Sequence, residues 1–62
     1  MKDLTNRQKE VMELVSKGKT NQQVADELAI STQTVKNLLS NVYERLETPN
    51  RVSAVLRFMG VI

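Results

Sequence analysis

Two Thr-x-x-Gln spacings, Thr5 to Gln8 and Thr20 to Gln23, constrain this chain more than any other feature of its sequence. At that separation the threonine hydroxyl can accept from the glutamine's backbone N–H. The glutamine side chain can in turn accept from the threonine's own N–H, so two orphan donors of a helix start are paired locally. Apolar residues at helical intervals follow each pair: Val11, Leu14 and Val15, with Met12 beside them, then Val24, Ala25 and Leu28. Gly18 stands where a left-handed residue would close the first helix. Ser31 is placed to cap a third helix, whose apolar seam is Val35, Leu38, Leu39, Val42 and Leu46. Pro49 biases Thr48 away from the helical region, and Asn50 or Thr48 can cap a fourth helix that ends at Gly60. The pattern predicts helices at about 6–17, 21–28, 32–46 and 51–59. Two glycines and one proline are too few turn signals for an all-β chain. No repeat, low-complexity segment or linker divides the sequence, so residues 1–62 read as a single all-α domain.

Composition narrows the function. A chain of 62 residues buries only about 60% of its unfolded surface, which leaves stability marginal. With no cysteine and no histidine, disulfides, thiolate or imidazole metal sites and Cys/His or Ser/His nucleophiles are excluded. Neither a metal nor a cofactor is expected. Tyr43 and Phe58 are too few aromatics to form a stacking platform for single strands. Glu10 and Glu13 have no partner that would make them an acid–base pair, so the chain is not expected to be an enzyme. No apolar run approaches the ~20 residues of a membrane span, and Lys2 and Asp3 lead into a polar stretch instead of a signal peptide. A net charge of +2 describes a mildly basic protein, expected in the cytoplasm.

The second and third helices are separated by a turn of the length used in helix-turn-helix units. Ala25 supplies the small residue where the two helices cross, Ala29 and Ile30 close the corner, and Val35 and Leu38 continue the seam. A helical hairpin that only packs a core has the same outline. The outward face of the third helix separates the two. At ~100° per residue, Gln33, Lys36, Asn37, Ser40, Asn41 and Glu44 lie opposite the seam, with Thr34 at its edge. Between Ile30 and Tyr43 there is one cation, Lys36, and no acid. An ordinary solvated face carries Glu and Lys pairs. Amides, hydroxyls and a single ammonium are instead the groups that hydrogen-bond base edges in a major groove. Candidate base contacts are therefore Lys36, Asn37, Ser40, Gln33 and Asn41. Flanking donors suited to phosphates are Thr20, Asn21 and Gln22 at the start of the second helix, Thr32 and Thr34 at the start of the third, and Arg45 and Arg51 beyond it. Lys2, Lys9, Lys17 and Lys19 read as solvated surface.

Four strings carry a resemblance to a known family. They are Leu4-Thr5-x-Arg7-x-x-Glu10-Val11, Gly18-Lys19-Thr20-Asn21-x-x-Val24-Ala25-x-x-Leu28, Ile30-Ser31-x-x-Thr34-Val35-Lys36, and Asn41-x-x-x-x-Leu46 continuing to Arg51-x-x-Ala54-Val55. Together they resemble the LuxR/FixJ/GerE-type DNA-binding domain of bacterial transcription regulators, from Leu4 to Ile62. The resemblance implies a four-helix fold whose third helix enters the major groove, with Lys36, Asn37 and Ser40 facing bases and Thr20, Asn21 and Thr34 facing phosphates. Three positions depart from the family pattern. Leu38 replaces a common histidine, Gln8 a common glutamate, and the glycine usual after the recognition helix is missing near Glu47 and Thr48. Leu38 suits the seam, whereas Glu47 puts the geometry of the following turn in question.

The last helix is apolar around most of its circumference. Ala54, Phe58, Val61 and Ile62 can face a core, while Val52, Leu56 and Met59 form a second stripe. The family pattern assigns this helix to a symmetric homodimer contact, and a covering segment of a larger parent chain is the alternative. A two-fold dimer would read an inverted repeat in double-stranded DNA, with half-sites about one helical turn apart. The expected role is transcription regulation through recruitment or exclusion of the transcription machinery. A rival reading is a helical protein-interaction module that uses the third-helix face or the terminal stripe.

Overall fold

The computed structural model describes residues 4–60, which leaves Lys2, Asp3, Val61 and Ile62 outside the described residues. Four helices follow one another: α1 (Asn6–Ser16), α2 (Asn21–Leu28), α3 (Thr32–Arg45) and α4 (Arg51–Phe58). No strand is present among the described residues. Each helix begins where local chemistry supplies an acceptor. Thr5 Oγ1 accepts from the Gln8 N–H at 3.2 Å, and Gln8 Oε1 accepts from the Thr5 N–H at 2.8 Å. Thr20 and Gln23 repeat both bonds at the same distances. Ser31 Oγ takes the Thr34 N–H at 3.0 Å, and Asn50 Oδ1 takes the Ser53 N–H at 2.9 Å.

α2 ends at Leu28 as expected, and the other three helices end one residue early. Lys17, Leu46 and Met59 lie one residue past the last helical position of α1, α3 and α4, as C-caps. Each helix is followed by a residue with positive φ: Gly18 (+86°), Ala29 (+56°), Glu47 (+55°) and Gly60 (+80°). In α1 to α3 this residue forms a Schellman closure, with Lys19 N–H reaching Leu14 O, Ile30 N–H reaching Ala25 O, and Thr48 N–H reaching Tyr43 O. Glu47 thus keeps the left-handed turn that the missing glycine put in question, and Ala29 does the same between α2 and α3.

Both side chains are exposed, so their Cβ strain is not offset by burial. A non-glycine residue in this region costs roughly 1–2 kcal/mol, against roughly 0.5–1 kcal/mol of extra unfolded-state entropy for glycine. Ala29→Gly and Glu47→Gly should therefore each raise the thermal midpoint, by a few degrees for a gain of up to ~1 kcal/mol. A fall in midpoint by circular dichroism would show that these side chains stabilise the turns.

α1 packs on the other three helices, α2 on α3, and α4 on α1 and α3. The core is Val11, Met12 and Val15 from α1, Val24 and Ala25 from α2, Val35, Leu39 and Val42 from α3, and Ala54 from α4. Leu14, Leu28, Ile30, Leu38 and Leu46 are half-buried against it, so Leu38 does serve the seam. Gln8 is buried, and as a neutral amide it needs no counter-charge there. Ala25, 2% exposed, is the small residue that lets α2 and α3 cross closely. That crossing fixes which face of α3 is left outside.

Candidate nucleic-acid interface

With Val35, Leu39 and Val42 turned inward, α3 leaves Gln33, Thr34, Lys36, Asn37, Ser40 and Asn41 exposed. At ~1.5 Å per residue the 14-residue helix is about 21 Å long. Gln33 and Asn37, one turn apart, are braced: Gln33 Nε2 donates to Asn37 Oδ1 at 3.1 Å. The bond occupies one acceptor and one donor proton and leaves the Gln33 carbonyl oxygen and the Asn37 amide protons available to a ligand. Lys36 stands between them on the surface and makes no ion pair among the described residues. Asn41 lies farther along, beside a groove it shares with Gln8, Glu44 and Arg45. Glu44 brings a carboxylate to that end, so the surface suited to an anionic partner is the first part of the helix, Gln33 to Ser40.

The start of α2 lies beside a second groove, lined in part by Lys19, Thr20, Asn21, Gln22 and Arg51. The capping box accounts for the Thr20 and Gln23 N–H groups, which leaves those of Asn21 and Gln22 as the uncapped donors of the first turn. Gln22 Nε2 is drawn back to Asp26 Oδ1 at 2.9 Å, so this residue offers its backbone more readily than its side chain. On α3, Thr34 Oγ1 lies 2.9 Å from Ser31 Oγ, within the cap, and Thr32 is half-buried. Arg51 does not extend into solvent as a simple surface cation. Its Nη1 donates to Asn21 Oδ1 at 2.7 Å and its Nη2 to the Lys19 carbonyl at 2.8 Å. Lys19, read as plain solvated surface, pairs with Glu27 at 3.4 Å. The Arg51–Asn21 bond joins residues 30 apart, and no local spacing announces it.

The sequence model of the GerE family, described as bacterial regulatory proteins of the luxR family, matches residues 2–58. The chain belongs to the luxR family. It is 48% identical over 54 residues to the transcriptional regulatory protein DesR of Bacillus subtilis, covering 87% of this chain and 27% of DesR. To the spore germination protein GerE of Bacillus subtilis it is 41% identical over 56 residues, covering 90% of this chain and 76% of GerE. The crystal structure of the response regulator ChrA, from a heme-sensing two-component system, superposes with a TM-score of 0.84 at 33% identity. That superposition covers 100% of this chain and 32% of ChrA. The luxR-family chain therefore spans about a quarter of DesR and three quarters of GerE. Membership makes it a helix-turn-helix unit of the kind that transcription regulators carry, with DNA binding implied.

In this luxR-family fold, Ala54 of α4 is buried in the core, and Val55 and Phe58 pack against it. Val52, at 69% exposure, and Met59, at 60%, are left outside, with Leu56 half-buried between them. Their i, i+4, i+7 spacing places the three on one face. Among the described residues no helix is long and apolar enough to cross a membrane.

Proposed function

We propose that residues 1–62 act as one sequence-specific double-stranded DNA-binding domain, with α3 lying in the major groove. The observation that carries this reading is the acid-free surface from Gln33 to Ser40, exposed because its opposite edge is locked into the core. Lys36, Asn37, Ser40 and Gln33 read base edges, with Asn41 at the far end of the contact. Thr20, Asn21, Gln22, Thr32, Thr34 and Arg45 hold phosphates on either side, α2 doing so with its uncapped first-turn donors. Two copies joined through Val52, Leu56 and Met59 place their third helices on an inverted repeat, where they recruit or exclude the transcription machinery. The site of action is the cytoplasm, at the nucleoid.

Salt titration tests the reading. Each neutralised phosphate releases counterions, so log affinity should fall linearly with log salt, with a slope of about −1 to −2 per protomer from the cations Arg45 and Lys36. Fluorescence anisotropy on a duplex selected from a random pool supplies the measurement. A flat dependence would favour a protein partner on the α3 face or the α4 stripe.

A further inference from the structure

We infer that Arg51 is a positioning residue for phosphate recognition, acting through Asn21. The proposal rests on the DNA-binding reading above and assigns Arg51 a different task from direct contact. Arg51 opens α4, where a cation is disfavoured because the helix dipole is positive at that end. Its guanidinium leaves its own helix and uses both terminal nitrogens internally, on the Lys19 carbonyl and on Asn21 Oδ1. These two acceptors flank Thr20, the N-cap of α2. Asn21 is the first residue of that helix and is only partly buried.

The chemistry of the amide gives the pairing its consequence. A free asparagine side chain can turn either its oxygen or its nitrogen toward a ligand, and the oxygen repels a phosphate. Once Oδ1 is bound by a guanidinium, the amide has two N–H donors left to offer, the groups a phosphate oxygen accepts. Arg51 thereby selects the amide orientation beside the uncapped N–H groups of Asn21 and Gln22. The planar fork that spans two acceptors in fixed geometry is specific to arginine; a lysine would keep the charge and lose the fork.

Four chains decide the matter: the parent, Arg51→Lys, Asn21→Ala and the double variant, each titrated with the selected duplex at several salt concentrations. Arg51→Lys should lower affinity about three- to tenfold, close to the loss in Asn21→Ala. The salt slope should stay at the parent value, because the charge is retained. In the Asn21→Ala background the same lysine substitution should change nothing further. Arg51→Lys binding as well as the parent would overturn the proposal, since charge alone would then suffice. So would a full lysine penalty that persists without Asn21, which would mark direct contact or a general structural role. Thermal melts fix a temperature at which all four chains are folded. If Arg51→Lys melts too low, Arg51→Gln takes its place, with the same additivity test against Asn21→Ala. A parent chain that binds no duplex from the pool would sink the DNA-binding reading itself, an outcome distinct from either failure of the Arg51 assignment.

Discussion

Replacing Lys36 and Asn37 together by alanine should weaken binding to the preferred duplex by about a hundredfold or more, while the thermal midpoint stays within a few degrees of the parent. Each side chain that reads a base edge contributes about 1–3 kcal/mol of discrimination. The two are adjacent, so their losses need not add. Asn37 carries a second consequence, because its Oδ1 holds the Gln33 amide at 3.1 Å and its removal frees Gln33 to wander. Stability should be spared because both residues are exposed, neither belongs to the core, and alanine is the better helix former. Affinity for unrelated duplexes should fall much less, since phosphate contacts are left in place. Anisotropy titrations on selected and scrambled duplexes, paired with circular dichroism melts, read all three quantities. Equal loss on both duplexes would mean the α3 face does not read sequence, and a collapse of the melt would make the two side chains structural.

Helix starts were legible because capping is a contact between residues three apart, and Thr5, Thr20, Ser31 and Asn50 each find the partner their spacing implies. The core was legible for a related reason. Helical periodicity alone puts Val35, Leu39 and Val42 on one side of α3 and Lys36, Asn37 and Ser40 on the other. Helix ends were less so. A left-handed closing residue is announced by glycine, as at Gly18 and Gly60, but Ala29 and Glu47 adopt it because the following chain must turn back into the core at Ile30 and Thr48. That requirement is tertiary, and the residue type at the turn does not report it. Arg51 is the clearest case at the site. A sequence reading sees a cation after the third helix and offers it to a phosphate, whereas the fold brings it against Asn21 and Lys19 from across the molecule. The Gln22–Asp26 and Gln33–Asn37 pairs, by contrast, have the i, i+4 spacing of helical neighbours and were within reach of sequence reasoning.

Leu56→Asp should reduce binding to an inverted repeat by roughly 10²–10⁴, down to the level of an isolated half-site, while leaving half-site binding almost unchanged. The size of the effect follows from linkage: once one protomer is seated, a dimer presents the second at an effective concentration near the millimolar range, and a monomer has no such advantage. In a two-fold arrangement the stripe of Val52, Leu56 and Met59 meets its own copy, so a single substitution places two carboxylates in one apolar contact. Desolvating them without a counter-charge is strongly unfavourable. The stripe has no other evident work in the fold, since none of its three residues belongs to the core or to the apolar residues packed against it. Leu56 is half-buried, so an aspartate there could also loosen α4. Val52→Asp, at a position 69% exposed, carries the same charge into the contact without that risk and should give the same loss on the inverted repeat. Sedimentation of both variants with and without DNA distinguishes the outcomes. If the inverted-repeat to half-site ratio survives in Val52→Asp, or the parent chain occupies its selected site as a single copy, the two-fold contact through α4 is wrong, and the stripe belongs to a different partner.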